Sequence, residues 1–204
     1  MFNTKEKRER SLGTQLFLKA DRCNSPKCAA VRTPNRPGLH GKKRRRAGSE
    51  YAQQLMEKQK IKFTYGLREA QLQKVFKAAL KNPGVTGELI ISLLEKRLDN
   101  AVYRLGLAPS RSVARQLVGH GHILVNKKRV NIPSCQIKIG DTISIREASK
   151  THFLFKDLSV KLKSFETPSW LELDKENLTG KVVVDPKKLE IPFDINMVVD
   201  YYSK

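Results

Sequence analysis

The sequence lacks long apolar runs. None approaches the roughly 18–20 residues of a membrane-spanning helix, and the N-terminal residues include no apolar stretch of the kind found in secretory signals. We therefore expect no membrane partner. Cysteine is also scarce, and Cys23, Cys28 and Cys135 do not make a disulfide framework. A reducing compartment is expected, with the cytoplasm as the default and an organelle as the alternative.

Acidic residues are outnumbered two to one. The 204 residues include 40 Lys and Arg against 20 Asp and Glu, which gives a formal net charge of +20. A solvated surface is the ordinary explanation of such charge, but the basic residues cluster, and so large an excess favours a polyanionic partner. Because 39% of the residues are hydrophobic, most of the chain can still fold into one or two small domains.

Apolar periodicity is missing from residues 1–48, which we interpret as a basic N-terminal arm. Pro26, Pro34 and Pro37 interrupt the segment. With little to bury, the arm is expected to be irregular and to become ordered only on its partner. Near its end it carries a continuous basic run of Lys42, Lys43, Arg44, Arg45 and Arg46.

A helical pattern follows over residues 49–94. Ser49 can cap a helix that runs to about Phe63, a second helix is predicted over 68–82, and Thr86 can cap a third. We expect the C-terminal residues 185–204 to complete this helical domain.

Residues 95–184 are predicted to form a smaller mixed domain with a core module at 95–150. Two amphipathic helices, 97–105 and 110–120, precede a pattern of period two. The expected strands are residues 123–125, 130–132, 136–139, 142–145, 170–173 and 181–184, with turns at 126–129 and 140–141 and a helical stretch at 152–165. The predicted fold class is α+β: a basic extended arm, a helical domain, and two helices packed on a short-stranded, mostly antiparallel sheet.

The two helices of the module each carry arginines opposite an apolar stripe. Arginine offers fixed donors to phosphate oxygens, which suits the backbone-directed recognition of folded RNA; ordinary solvated charges are the alternative. We expect Arg97, Arg104, Arg111 and Arg115 to form one exposed RNA-facing surface outside the core. The other candidate RNA-binding residues are Asn100, Tyr103, Gln116, His120, His122, Lys127, Lys128 and Arg129, together with the basic run of the arm.

Several short segments match one known family. In the module they are Arg97–Gly106, Ser110–Arg111, Ala114–Val118, Gly121–Ile123 and Val125–Asn126. Outside it they are Cys23–Cys28, Pro37–Gly41, Ser49–Tyr51, Glu57–Lys60, Thr86–Gly87 and Tyr202–Lys204. Together these segments resemble the ribosomal protein S4 family, in its bacterial or organellar form, over essentially the whole chain.

The resemblance implies a primary binder of small-subunit ribosomal RNA (rRNA) that contacts a junction of RNA helices and nucleates assembly of the subunit body. It also implies contact with the neighbouring ribosomal protein S5, an influence on decoding accuracy, and contact with messenger RNA at the decoding-side entry. No cofactor and no catalytic residue are expected. The implied location is the ribosome of the cytoplasm, with an organellar ribosome as the alternative.

Three departures from the family pattern qualify this interpretation. Some members carry four cysteines for zinc, whereas here the segment Lys5–Gly13 has no Cys or His. Cys23 and Cys28 are then a residual pair, and we expect no metal, because a structural zinc site needs four ligands. The hairpin turn that often reads Val-Asn-Gly is Val125-Asn126-Lys127 here. Residues 150–181 match weakly, so no RNA contacts are assigned there.

Two other classes of protein share features with this chain. The same small RNA-binding domain occurs in pseudouridine synthases and tyrosyl-tRNA synthetases, but we identify no phosphate-cradling glycine loop and no strand-borne catalytic Asp before residue 95. A stand-alone RNA chaperone or stress-response RNA binder is the second alternative. The long arm and the terminal Tyr-Ser-Lys argue against it.

Overall fold

In the computed structural model the chain divides into two compact units. The structure describes residues 4–43, 48–82, 84–156, 158–163, 165–186 and 191–203. One unit comprises residues 1–90 and 190–204, the other residues 91–189, and helix α6, Thr86–Glu95, runs from the first into the second. Helices combined with an antiparallel sheet confirm the predicted α+β class. Within the described ranges, no helix has both the length and the apolar character needed to cross a membrane.

The first unit is helical in its described residues. Its longest helix begins after Ser49, whose hydroxyl accepts a hydrogen bond from the backbone N–H of Ala52 at 3.3 Å. Ile61, Leu72 and Phe76 lie in its core. Its helices are α1 Thr4–Leu12, α2 Ala20–Cys23, α3 Ala29–Arg32, α4 Glu50–Thr64, α5 Glu69–Leu80 and α11 Ile195–Ser203. The helices predicted over 50–63 and 68–82 are confirmed to within two residues.

A buried lysine joins α4, α5 and the C-terminal helix α11. Lys58 Nζ lies 2.9 Å from Glu69 Oε1 and 3.2 Å from the Tyr201 hydroxyl. The Tyr202 hydroxyl donates to the same Glu69 oxygen at 2.8 Å. Burial raises the pKa of the Glu69 carboxyl, but hydrogen bonds from Lys58, Lys62 and Tyr202 outweigh burial and lower this pKa to about 2. Residues of α11 therefore pack within the first unit.

The N-terminal segment is not the irregular chain that its composition predicted. It contains α1, α2 and α3, and it buries two carboxylates. Glu9 Oε1 accepts hydrogen bonds from the backbone N–H groups of Leu16 at 3.0 Å and Leu18 at 3.1 Å, and Glu6 Oε1 lies 2.6 Å from Arg22 Nε. The prediction was wrong because a periodicity argument counts glutamates as surface residues. Here the two buried carboxylates of α1 instead bind polar groups of the residues that follow this helix.

The second unit packs helices on a five-stranded sheet with the order β2-β1-β3-β5-β4, in which all neighbours are antiparallel. Both predicted apolar stripes face its core; Leu98, Val102 and Leu105 are fully buried, and Leu117 is 3% exposed. The elements are α7 Leu98–Arg104, α8 Arg111–Gly119, β1 Ile123–Val125, β2 Lys128–Arg129, β3 Thr142–Ile145, α9 Phe153–Lys156, α10 Leu158–Lys163, β4 Leu171–Asp174 and β5 Thr179–Val182.

The first hairpin of the sheet is tighter than predicted. Asn126 and Lys127 both take the left-handed backbone conformation, with φ of 50° and 64°. This geometry closes a two-residue turn, so β1 pairs with Lys128–Arg129. The prediction of a turn over 126–129 and a strand over 130–132 was therefore wrong.

The strand predicted over 136–139 is also absent from the sheet. Within this segment only Gln136 makes a β-bridge, to Arg97. The preceding loop caps the N-terminus of α7 instead. The carbonyls of Cys135 and Pro133 accept hydrogen bonds from the first two backbone N–H groups of this helix, at 2.9 and 3.1 Å. Those N–H groups have no partner inside their own helix, and satisfying them draws the loop away from sheet geometry.

Candidate nucleic-acid interface

The residue before α7 is a buried arginine. Arg97 is the N-cap of the helix and has extended backbone, with φ of −68° and ψ of 135°. It is 6% exposed, and its Nε and Nη2 lie 3.1 and 3.0 Å from the two carboxylate oxygens of Asp99. The expectation that Arg97 lies outside the core was wrong, because a residue that precedes the helix does not follow the 100° helical projection.

The same carboxylate holds a second arginine from the neighbouring helix. Arg115 on α8 donates from Nε and Nη2 to Asp99 Oδ2 at 3.0 and 2.6 Å. Asp99 is itself 4% exposed. One buried acid therefore orients two guanidinium groups through charge-assisted hydrogen bonds, which are stronger than neutral ones.

A second buried acid organises the rest of the polar surface. Arg104 Nε and Nη2 lie 2.9 and 3.0 Å from Glu95 Oε2 and Oε1. Asn100 donates to Glu95 Oε2 at 2.8 Å and accepts from Arg111 Nε at 2.7 Å. The Arg111 guanidinium also lies 4.5 Å from the centroid of the Tyr103 ring, a cation–π geometry. Asn100 was predicted as a surface contact but is a buried connector, 1% exposed.

We use the name arginine cluster for Arg97, Arg104, Arg111 and Arg115. Arg97, Arg104 and Arg115 are hydrogen-bonded to two carboxylates, and Arg111 is linked to Glu95 through Asn100. Four cations against two acids leave the cluster positive while its side chains are held in place. The side chains of Arg104 and Arg115 are 27% and 35% exposed. A polyanion that meets such prearranged donors has less side-chain freedom to remove on binding.

The other predicted residues of the second unit lie beyond this cluster. Gln116 is exposed on α8, and His120 is exposed at the C-cap of this helix. Arg129, exposed on β2, reaches back to α8, where its Nη2 donates to the His120 carbonyl at 3.2 Å. Lys127 and Lys128 are exposed at the hairpin.

Two predicted residues of the basic run, Lys42 and Lys43, are exposed and belong to the first unit. Arg44, Arg45 and Arg46 lie outside the described residues.

His122 differs from the exposed candidates. It is half-buried, and its Nδ1 lies 2.9 Å from the Ser149 hydroxyl. Burial lowers the pKa of this imidazole, and the nearby His152, His120, Arg129 and Arg146 lower it further. The ring is therefore largely neutral at neutral pH.

Glu95 and Asp99 were missed by sequence reasoning, although they organise the site. Acids in a basic protein look like surface residues that offset charge. A usable signal was their position, because both flank the start of the helix that carries Asn100 and Arg104.

The residual cysteine pair does not fit a structural metal site. Cys23 and Cys28 are buried free thiols, and they supply only two of the four ligands that a structural zinc site needs. Across the part of the chain that the structure describes, no three His, Cys, Asp or Glu side chains are grouped to hold a metal ion.

Comparison with known proteins places this chain in a family. The family described as Ribosomal protein S4/S9 N-terminal domain matches residues 2–95, and the S4 domain matches residues 96–143. Proteins named small ribosomal subunit protein uS4 from Caldicellulosiruptor bescii, Natranaerobius thermophilus and Thermus thermophilus are 48%, 45% and 46% identical to the chain over 194 residues. Each alignment covers 94% of this chain and 93% of the relative.

A ribosomal protein S4/S9 N-terminal domain followed by an S4 domain defines the class: ribosomal proteins that carry an S4 RNA-binding domain. The chain belongs to the ribosomal protein S4 family. This confirms the resemblance found in the sequence, and it settles the enzyme alternative, because the proteins of this family are structural and not catalytic.

Proposed function

We propose that the chain binds small-subunit rRNA directly, as a primary binding protein, and nucleates assembly of the subunit body. The observation that carries this proposal is the arginine cluster held by Glu95 and Asp99. The partly exposed guanidinium groups of Arg104 and Arg115, fixed in this way, can offer their remaining N–H donors to phosphate oxygens. They suit an RNA whose backbone shape is recognised more than its base edges.

The proposed RNA-binding domain is 95–184, with its core module at 95–150. It carries the arginine cluster, the exposed polar side of α8 and the basic β1–β2 hairpin. The net charge of +20 adds attraction that does not depend on sequence. The two acids reduce this attraction slightly, and they compensate by ordering the arginines before RNA arrives.

We further propose the finer roles that the family resemblance implies. The chain contacts the neighbouring protein S5 and messenger RNA at the decoding-side entry, contributes to translational accuracy, and works in cytoplasmic ribosomes. The relatives named above are proteins of the small ribosomal subunit, and the similarity along almost the whole chain supports the transfer.

Filter binding of the full chain to transcribed small-subunit rRNA of Caldicellulosiruptor bescii tests the proposal. Affinity should fall steeply across a potassium chloride series, with a log–log slope of roughly −0.7 to −0.9 per phosphate contact. Arg115→Gln should weaken binding and reduce the slope by about one contact. The matched control is Lys175→Gln, which removes the same charge from the exposed β4–β5 turn. A flat salt titration, or equal effects of the two variants, would contradict the proposal.

A further inference from the structure

A cavity of about 380 Å³ opens between the C-terminal half of α8, the start of β1 and the start of α9. Its lining combines three histidines with an exposed phenylalanine: His120, His122, His152 and Phe153. We call this cavity, together with these four residues, the aromatic pocket. His152 and Phe153 belong to the weakly matching part of the chain, where the sequence assigned no RNA contact.

The rings of the aromatic pocket follow one another closely. Ring centroids are 5.9 Å apart for His120 and His122, 5.5 Å for His122 and His152, and 5.1 Å for His152 and Phe153. Phe153 is 71% exposed, so the core gains little from it. His120, His152 and Phe153 are exposed, and exposed rings at such spacing provide faces on which an unstacked nucleobase can lie.

The edge of the pocket carries hydrogen-bonding groups and positive charge. Gln116 is an exposed lining residue, and an amide has both donors and an acceptor for the edge of a base. Arg129 lies at the His120 carbonyl and crosses Gly121, where any side chain would collide with the guanidinium. No carboxylate is found among the lining residues that the structure describes. This combination fits a nucleotide, whose base is flat and whose phosphate is negative.

We propose that the aromatic pocket binds one unstacked base of the small-subunit rRNA and that Arg129 receives its phosphate. The inference rests on the proposed function and extends it from phosphate contacts to a single-stranded nucleotide. An exposed aromatic protein segment is the competing occupant. An uncharged protein segment of this kind has no phosphate for Arg129 to bind, so the basic edge favours the nucleotide.

Binding of the full chain to the same transcribed rRNA, with Phe153→Ala as the variant, gives the first test. Loss of one stacking ring should lower affinity roughly 5- to 150-fold. The salt slope should not change, since no phosphate contact is lost, and Phe153→Trp should restore binding. The control is Val160→Ala, which shortens another exposed apolar side chain of this unit, 67% exposed. Equal affinities for Phe153→Ala and Val160→Ala would overturn the pocket.

Photocrosslinking separates failure of the pocket from failure of the proposed function. The probes are the same transcript substituted with 4-thiouridine or 6-thioguanosine, and the readout is mass spectrometry of crosslinked peptides. Crosslinks at His152 or Phe153 support the pocket. Crosslinks confined to α7 and the N-terminal half of α8 overturn the pocket and leave rRNA binding intact. No protein–RNA crosslink with either probe would overturn both.

Discussion

Asp99→Asn is expected to destabilise the second unit by about 3–5 kcal/mol. Arg97 is 6% exposed, and its guanidinium lies within 3.1 Å of both Asp99 oxygens. Neutralising the carboxylate therefore leaves a buried cation without its counter-charge. The pair with Arg115 adds only about 0–1 kcal/mol, because that side chain is 35% exposed and is screened by solvent. The buried Arg97–Asp99 pair therefore accounts for most of the expected destabilisation.

Urea unfolding followed by tryptophan fluorescence measures this loss in the relevant unit. The chain has one tryptophan, and Trp170 is 2% exposed within the core that α7 and α8 share. The matched control is Glu147→Gln, the same chemical change at a carboxylate that is 84% exposed beside Lys150, and its effect should stay within about 0.5 kcal/mol. If Asp99→Asn cost less than about 1 kcal/mol, or no more than the control, the buried-pair reasoning would be refuted.

Three further predictions concern other parts of the chain. Leu117→Ala should destabilise the second unit by about 2–5 kcal/mol in the same assay, because it opens a cavity beneath α8; an effect below about 1 kcal/mol would contradict the core assignment. Lys127→Gly, in the β1–β2 turn, should stabilise the second unit by about 0.5–1 kcal/mol, since glycine takes the left-handed conformation without strain; destabilisation would contradict the turn geometry. Glu69 contributes stability above its ordinary pKa of 4.5, and this contribution is lost as pH falls toward its folded pKa of about 2. The free energy of unfolding of the wild type should therefore exceed that of Glu69→Gln by ~1 kcal/mol at pH 7. The difference is this small because the Glu69 side chain is 44% exposed and its ion pairs are screened by solvent. Circular dichroism during urea unfolding across this pH range should show the difference shrink, and a constant difference would contradict the ion pairs.

Local signals in the sequence were enough to predict most helices of the described chain. Ser49 acts as an N-cap as expected, and Ser110 does so for α8; their hydroxyls accept hydrogen bonds from the backbone N–H groups of Ala52 and Val113. The apolar stripes of α7 and α8 follow helical spacing and are buried as predicted. These features depend on neighbours within one or two helical turns, which the sequence displays directly.

Features that depend on distant partners could not be predicted in this way. Glu95, at the end of α6, meets Arg104 only once α7 has folded back beside it, and Asp99 meets Arg115 only after α7 and α8 have packed together. Glu9 is buried because it satisfies loop amides, a role that no periodicity reveals. The arginines were found from their residue type and spacing, but the acids that orient them required the fold.

Sedimentation on sucrose gradients tests most directly whether the chain is an rRNA-bound constituent of the small ribosomal subunit. Lysate from cells that naturally produce the protein would be fractionated, and quantitative mass spectrometry would compare the chain with other small-subunit proteins in each fraction. The chain should be near-stoichiometric with small subunits and should remain there after a moderate salt wash. Recovery mainly at the top of the gradient, or at a small fraction of the subunit concentration, would contradict its assignment as a ribosomal constituent.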